Sequence, residues 1–203
     1  MANQPDLERA KDYVVRKLER ELSPSLTYHG LVHTIQEVIP AAEQLATLEK
    51  VGDEDRLLIL TAAYFHDLGF IRQRDGHEAV SILYAEAALP TFGYSQDQIA
   101  VIRGIIRATC LPQSPTNLLE RIMADADLDY LGHEDYWRRS NDFRQELENY
   151  GRKFSDEEWC LYQLNFMQAH SYFTESERIL RDSIKQEHIM EVKRQLEQIK
   201  LQK

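Results

Sequence analysis

The sequence is poor in cysteine and contains two, Cys110 and Cys160. Two isolated cysteines are too few for a disulfide framework or a cysteine-based zinc site, so we interpret both as small buried hydrophobic residues. The chain also lacks a run of the roughly 18 apolar residues that a membrane span requires. Its first residues lack the basic and apolar blocks of a signal peptide. These absences predict a cytoplasmic protein with no membrane partner.

Basic residues are scarce relative to acidic ones. The 24 lysines and arginines stand against 34 aspartates and glutamates, which gives a net charge of −10. The sequence has no run of lysine or arginine that would form a basic patch. A surface with this net negative charge repels the phosphate backbone of nucleic acids. We therefore expect no nucleic-acid partner. A small anionic substrate stays compatible with the charge, because a bound cation can reverse the field inside one pocket.

Apolar residues at helical spacing are abundant, and the alternating pattern of half-buried strands is absent. Hydrophobic residues make up 43% and charged residues 29% of the chain, as in ordinary globular proteins. One apolar stripe runs from Leu7 to Leu22. A second helix is expected over about residues 28–50, kinked or split at Pro40. Further helices are expected near residues 53–69, 76–89, 96–109, 117–130 and 134–150.

The last third of the chain contains two signals for helix starts and a final apolar stripe. Ser155 is followed by Glu158, and Thr174 is followed by Glu177; both pairs are typical of a capping box. The stripe that begins at Ile189 is too short for a sustained coiled coil, so we expect it to pack on its own domain. The sequence leaves open whether the protein forms a homodimer. We predict an all-α fold without a firm internal boundary.

An adjacent histidine and aspartate, His66 and Asp67, follow an uncharged helix. The nine residues from Leu57 to Phe65 carry no charge, which predicts a helix buried on all sides. An ionised carboxylate in such a place is costly unless it is paired or binds a metal. The segment therefore indicates either a metal site or an aspartate cap beside a hydrogen-bonded core histidine, and it does not choose between them.

Two other segments offer metal ligands. His29 and His33, in YHGLVH, are four residues apart and share one helix face. In ADADLDYLG, Asp125 and Asp127 lie on opposite flanks of an apolar helix face, so periodicity leaves open which of them points inward. Acidic residues at a helix C-terminus oppose the helix dipole, which mildly disfavours a purely solvated role for them.

The order of a histidine, a His-Asp pair and a late aspartate resembles the HD superfamily of metal-dependent phosphohydrolases over about residues 28–132. The resemblance implies an all-α helical bundle. It also implies four metal ligands, namely His33, His66, Asp67 and Asp127. Asp127 is preferred to Asp125 because an alanine precedes it and a leucine follows it, as in the family. These ligands suit one divalent ion, either Mn, Fe, Co, Ni, Zn or Mg, without selecting among them.

The resemblance also implies how the helices are organised. We predict one domain over residues 1–203, with an HD-like core at about 25–135. The N-terminal helix 5–22 and additional C-terminal helices 136–203 are expected to pack on that core. Tyr28 and His29 resemble a pair in the cyclic-nucleotide phosphodiesterases of the superfamily, in which the matching histidine protonates the leaving oxygen. His29 is therefore the expected general acid.

The combined prediction is a metal-dependent phosphohydrolase that cleaves a phosphate ester of a nucleotide or another small molecule, with His29 and Asp67 as catalytic residues. The bound ion would activate water for attack on phosphorus. His77, Arg72 and Arg107 are predicted to bind the phosphorylated substrate. The alternatives are a cyclic-nucleotide or dinucleotide phosphodiesterase, and a metal-binding or nucleotide-binding regulator with little turnover.

The sequence departs from the family pattern at two positions. Thr109 stands where members with two metals often have a histidine, which favours a single ion. Phe70 stands where some members carry a glutamate, so no role for that glutamate transfers to this chain. Outside the pattern, we expect His133 and His188 to lie at the surface.

Overall fold

A computed structural model of the protein describes residues 4–202, which form nine α-helices and contain no strand. The helices are α1 (Leu7–Glu21), α2 (Ile39–Leu48), α3 (Asp53–Phe65), α4 (His77–Ala88), α5 (Gln96–Arg107), α6 (Leu118–Asp127), α7 (Tyr136–Asn149), α8 (Asp156–Ala169) and α9 (Glu175–Leu201). A π-helical segment covers Val32–Val38, and 3-10 turns cover Leu68–Ile71, Leu89–Phe92 and Asp129–Gly132. The prediction of an all-α fold is confirmed. No helix in the described range is long and apolar enough to cross a membrane.

Helix α3 lies at the centre of the larger hydrophobic core. It packs against α1, α2, α4, α5 and α6, and its residues from Thr61 to Phe65 are all buried. The alanines Ala62 and Ala63 are fully buried, and their small side chains let neighbouring helices approach α3 closely. The uncharged run thus forms the buried helix that its composition predicts, and it carries His66 into the middle of the protein.

Pro40 marks the point where two kinds of helix meet. The π-helical segment Val32–Val38 runs into α2, and Pro40 occupies the first turn of α2. Proline has no N–H to donate to the preceding turn and its ring crowds that turn, so a locally widened helix accommodates it. The helix expected over residues 28–50 is therefore divided near Pro40, and His33 lies in the widened part.

Helices α7, α8 and α9 form a second hydrophobic cluster with the segment around Leu131. Ile189, Val192 and Leu196 of α9 are buried in it, so the final apolar stripe packs within its own chain. The expectation that His188 lies at the surface is wrong. Its ring is buried against Tyr136, with centroids 4.5 Å apart, and its Nδ1 lies 2.9 Å from the Leu131 carbonyl oxygen.

The two predicted helix starts in this region differ in detail. Ser155 and Glu158 form a reciprocal capping box at the start of α8. At the start of α9 the Thr174 hydroxyl accepts a hydrogen bond from the Glu177 N–H, but the Glu177 side chain does not return it. That carboxyl is buried instead, and burial, together with the neighbouring Asp129, raises its pKa to about 9.

Gly69 closes the turn behind the His-Asp pair and allows α4 to pack against it. A Cβ atom at Gly69 would lie 1.9 Å from the His77 carbonyl oxygen and 2.9 Å from the Ser81 nitrogen, both rigid backbone atoms. We expect Gly69→Ala to lower the free energy of unfolding by about 1–3 kcal/mol or more, because the backbone must move. Gly52→Ala is the matched control, since a Cβ there meets nothing within 4 Å. Urea unfolding of both variants measures the difference, and equal losses would contradict the packing argument.

Candidate metal centre

Four side chains from three parts of the chain meet at the C-terminal end of α3. His33 comes from the π-helical segment, His66 and Asp67 follow the end of α3, and Asp127 ends α6. His33 is 2% exposed, His66 is fully buried and Asp67 is 5% exposed. The three parts are far apart in the sequence. The packing of α2 and α6 against α3 brings them together.

The ring nitrogens and carboxylate oxygens of this cluster lie within contact distance of one another. His33 Nε2 is 3.2 Å from Asp127 Oδ1 and 3.7 Å from Asp67 Oδ2. His66 Nε2 is 3.3 Å from Asp67 Oδ2 and 3.4 Å from Asp127 Oδ1. The potential ligand atoms of His33, His66 and Asp127 all lie within 4.8 Å of each other, a spacing that one ion at the centre can bridge.

The opposite ring nitrogens determine the tautomers of these histidines. His33 Nδ1 is 3.2 Å from Glu37 Oε2, and His66 Nδ1 is 2.8 Å from the Ala63 carbonyl oxygen. Because these oxygens accept hydrogen bonds, each Nδ1 carries the proton, and each Nε2 of the neutral ring presents a lone pair. The lone pairs therefore face the carboxylates of Asp67 and Asp127, which are also acceptors.

A cluster of facing acceptors requires a positive charge between them. His66 Nε2 and Asp67 Oδ2 are both buried and have no hydrogen-bond partner among residues 4–202, although buried polar atoms rarely lack one. A divalent ion at the centre would satisfy both atoms. Imidazole nitrogens and carboxylate oxygens are ligands for Mn, Fe, Co, Ni and Zn. The residues present thus fit the metal that the resemblance implies.

The pKa values in the cluster also indicate that positive charge is stabilised there. Burial alone lowers the pKa of His66, but Asp67 and Asp127 raise it well above its ordinary value. Burial alone raises the pKa of Asp127, but His33 and His66 lower it to about 2. The cluster therefore stabilises protonated imidazoles, and a metal ion has to compete with those protons at low pH.

His77 and His29 lie on the far side of Asp67, with Phe70 between them. His77 Nε2 is 3.2 Å from Asp67 Oδ1, the oxygen of Asp67 that does not face His33 and His66. The Phe70 ring stacks on both histidines, with centroids 3.9 Å from His77 and 4.2 Å from His29. Phe70 thus packs the two imidazoles in fixed positions beside Asp67.

The two arginines predicted to bind substrate lie elsewhere. Arg72 is exposed and its Nε donates to the Tyr84 hydroxyl at 2.9 Å, and Arg107 is exposed near Cys110. Neither lines the cavity that opens beside the metal centre, so their positions do not support phosphate binding there. Arg74 does line that cavity, and its guanidinium carbon lies 4.4 Å from the centre of the Tyr150 ring.

Asp125 and Asp127 have separate environments. Asp127 faces His33 and His66, whereas Asp125 is fully buried and accepts hydrogen bonds from the start of α9. These come from the Phe173 N–H at 2.8 Å and from the Thr174 N–H and hydroxyl, both at 2.7 Å. Asp125 therefore anchors α9, and Asp127 is the aspartate that faces the candidate metal centre.

Glu146 of α7 is a site residue that the sequence does not reveal. Its Oε1 lies 2.6 Å from His29 Nδ1, and its Oε2 accepts hydrogen bonds at 2.9 Å from the N–H groups of Tyr28 and His29. Burial alone raises the pKa of Glu146, but these hydrogen bonds and the charge of His29 hold it below its ordinary value. Glu146 follows His29 by 117 residues, and no local pattern links the two.

Arg139, also on α7, contacts Glu37, which in turn contacts the candidate ligand His33. The Arg139 side chain is 1% exposed, and its Nε lies 2.7 Å from Glu37 Oε1, while the other oxygen of Glu37 contacts His33. Arg139 also donates to the Tyr28 carbonyl oxygen at 3.0 Å, with its guanidinium 4.2 Å from the centre of the Tyr28 ring. The arginine thus fixes the carboxylate that orients His33.

Arg139→Met should destabilise the protein and weaken metal binding. We expect a loss of about 3–5 kcal/mol in the free energy of unfolding, because the partly buried Glu37 carboxylate loses the buried guanidinium that lies 2.7 Å from it. Metal affinity should fall about 10–100-fold, as for other residues that orient a ligand. Arg138→Met, at an arginine whose side chain is 53% exposed, should cost less than about 1 kcal/mol. Urea unfolding and metal titration of both variants measure this, and similar behaviour would contradict the role of Arg139.

A solved structure has the same architecture. The chain is similar to the crystal structure of a predicted HD superfamily hydrolase from an uncultured Thermotogales bacterium, with a TM-score of 0.64 and 20% identity. The match covers 96% of this chain and 93% of that one. No protein-family model and no curated protein matches the sequence. The chain therefore has the HD-domain fold, and the match extends over the C-terminal helices as well as the core.

Proposed function

We propose that the protein is a metal-dependent phosphohydrolase that cleaves a phosphate ester of a nucleotide or another small molecule. The observation that carries this proposal is the buried cluster of imidazole nitrogens facing carboxylate oxygens, which fits a divalent ion. The cluster adjoins a cavity of about 290 Å³, lined by Asp67, His77 and Asp127 among others. The likeness to a predicted HD superfamily hydrolase supports the same class.

In this proposal each residue of the site has a separate role. His33, His66, Asp67 and Asp127 would hold the ion. When bound, the ion would neutralise charge on the phosphoryl oxygens and activate a water molecule. Arg74 and His77 line the cavity and are placed to contact the remaining oxygens of the phosphate.

His29 is placed to supply the proton that the leaving group needs. It lines the cavity, and the bond from Glu146 to its Nδ1 fixes the ring. As the oxygen of water bonds to phosphorus and one of its protons passes to the solvent, the bond from phosphorus to the ester oxygen breaks and its electron pair stays on that oxygen. A proton from Nε2 of the imidazolium then converts the ester oxygen into the alcohol. A regulator with little turnover has no need for such a group, so His29 favours the enzyme.

The test combines metal content with activity on a single preparation. Protein purified without chelator is analysed for bound metals, then supplied with Mn, Co, Ni or Mg and screened on nucleoside monophosphates, cyclic nucleotides and an aryl phosphate. We expect about one tightly bound ion per chain and hydrolysis that Asp67→Ala abolishes. Bound metal without hydrolysis of any ester would favour the regulator. No bound metal would overturn the proposal.

A further inference from the structure

The cavity beside the metal centre extends into a chamber that helices α7 and α8 build. Its walls include five side chains that we call the aromatic chamber: Phe143, Trp159, Tyr162, Gln163 and Phe166. Four of the five are aromatic, and the whole cavity has a volume of about 290 Å³. This is near the lower end of the roughly 300–1,000 Å³ of small-molecule sites, so it suits one compact ligand.

The aromatic chamber begins next to the candidate acid. The Phe143 ring lies 5.8 Å from the His29 ring and 6.3 Å from the Trp159 ring, centre to centre. Trp159 in turn stacks on Tyr162 at 5.3 Å. Because His29 would protonate the leaving oxygen, the organic group attached to that oxygen has to lie on the same side as His29. An ester bound in this way would have its organic part in the aromatic chamber.

The charged residues and histidines that line the cavity come from outside helices α7 and α8. They are His29, side chains of the candidate metal centre and the segment that begins at Arg74 and ends at Glu78, whereas the lining residues of α7 and α8 are uncharged. An uncharged organic group is thus favoured beside these two helices, since a buried charge would lack a charged partner on them. Among the described lining residues Arg74 is the one arginine, and there is no lysine. A single phosphoryl group matches this supply of cations better than a polyphosphate does.

Gln163 places one oriented amide in the wall of the aromatic chamber. Its Oε1 accepts hydrogen bonds from the Tyr136 hydroxyl at 2.8 Å and the Ser140 hydroxyl at 2.7 Å, which fixes the direction of the amide. Its Nε2 has one long contact, 3.4 Å from the Trp159 carbonyl oxygen. An amide nitrogen carries two hydrogens, so Nε2 has a second hydrogen beyond the one that faces Trp159.

We propose that the substrate is an ester with a single phosphoryl group whose organic part is an uncharged planar aromatic ring bearing a hydrogen-bond acceptor. This inference rests on the proposed function, since it takes the metal centre as the place of the phosphoryl group. The ring packs against the faces and edges of Phe143, Trp159 and Phe166, an arrangement that aromatic side chains favour. The acceptor on the ring receives the second Gln163 hydrogen.

The test uses esters that differ in the ring and share the same bond to be cleaved. Benzyl phosphate and cyclohexylmethyl phosphate both release a primary alcohol, but only the first ring is planar. We expect kcat/KM to be about threefold to tenfold higher for benzyl phosphate. Pyridin-3-ylmethyl phosphate adds an acceptor, and we expect a further gain of about fivefold from one hydrogen bond. The corresponding phosphonates, which are not hydrolysed, are compared by calorimetric titration of the metal-loaded protein.

A matched pair of variants locates the effect. Phe143 lines the cavity, whereas Phe154 packs against Trp159 and Tyr162 without lining it, at 5.4 and 5.5 Å. Phe143→Leu should reduce the preference for benzyl over cyclohexylmethyl compounds, and Phe154→Leu should retain it. Equal turnover and equal affinity for the two rings would overturn the inference, whatever happens to the proposed function. A binding preference without hydrolysis of any ester would support the chamber and overturn the proposed function instead.

Discussion

Asp127→Asn should empty the metal centre, whereas Asp125→Asn should leave it filled. Asp127 Oδ1 lies 3.2 Å from His33 Nε2 and 3.4 Å from His66 Nε2, so the substitution removes a ligand from the middle of the cluster. Changes that merely disturb the orientation of a ligand already cost about 10–100-fold in metal affinity or activity. We therefore expect a loss of more than about a hundredfold in both for Asp127→Asn. Metal analysis after dialysis and kcat/KM on one ester measure the effect.

Asp125→Asn is the internal control, because it changes the same chemical group two residues away. Asp125 accepts three hydrogen bonds from the start of α9, and the asparagine amide nitrogen cannot accept any of them. We expect the free energy of unfolding to fall by about 1–3 kcal/mol, with the metal content unchanged. The reverse pattern, in which Asp125→Asn loses the metal and Asp127→Asn keeps it, would mean that the wrong aspartate has been assigned.

His29→Gln should lower kcat by about 10²–10⁴ while metal content stays the same. The reason is that His29 contacts no ligand atom of the metal and is held by Glu146 at the edge of the cavity. The measurement compares two esters. A 4-nitrophenolate leaves without needing a proton, so the variant should lose far less activity on 4-nitrophenyl phosphate than on benzyl phosphate. Equal losses on both esters would rule out general acid catalysis by His29.

Glu146→Gln separates orientation from proton transfer. Glutamine retains one oxygen for the Tyr28 and His29 N–H groups but loses the charge that lies 2.6 Å from His29 Nδ1. As Glu146 acts through His29, its substitution should shift the pH dependence of kcat and lower kcat less than His29→Gln does. A pH profile identical to that of the unchanged protein would show that Glu146 serves the fold alone.

The sequence predicts the helices well because their signals are local. The uncharged run before His66 predicts a helix buried on all sides, and Ser155 with Glu158 predicts the start of α8. Both signals lie within a few residues of the feature that they predict. The sequence predicts the candidate metal centre for a different reason, since a histidine and an aspartate after a buried helix are hard to explain without a partner for the carboxylate.

The parts that the sequence does not predict all depend on contacts between distant segments. Asp125 and Asp127 flank one helix face, and the start of α9, which follows them by nearly fifty residues, decides which of the two is free for the metal. Glu146 and Arg139 resemble any other charged residues of an amphipathic helix until α7 packs against Tyr28. Arg72 and Arg107 illustrate the converse, because their position in the sequence between the His-Asp pair and Asp127 does not bring them to the cavity beside these residues.

We expect the contacts of α7 to link the candidate metal centre thermodynamically to the C-terminal half of the protein. Arg139 reaches His33 through Glu37, and Glu146 holds the N–H groups of Tyr28 and His29. Linkage is reciprocal. If the packing of α7 increases metal affinity, metal binding therefore raises the free energy of local opening of α7 by the same amount. Amide hydrogens of α7 should therefore exchange more slowly with solvent once the ion is bound, even though α7 contributes no ligand to the ion.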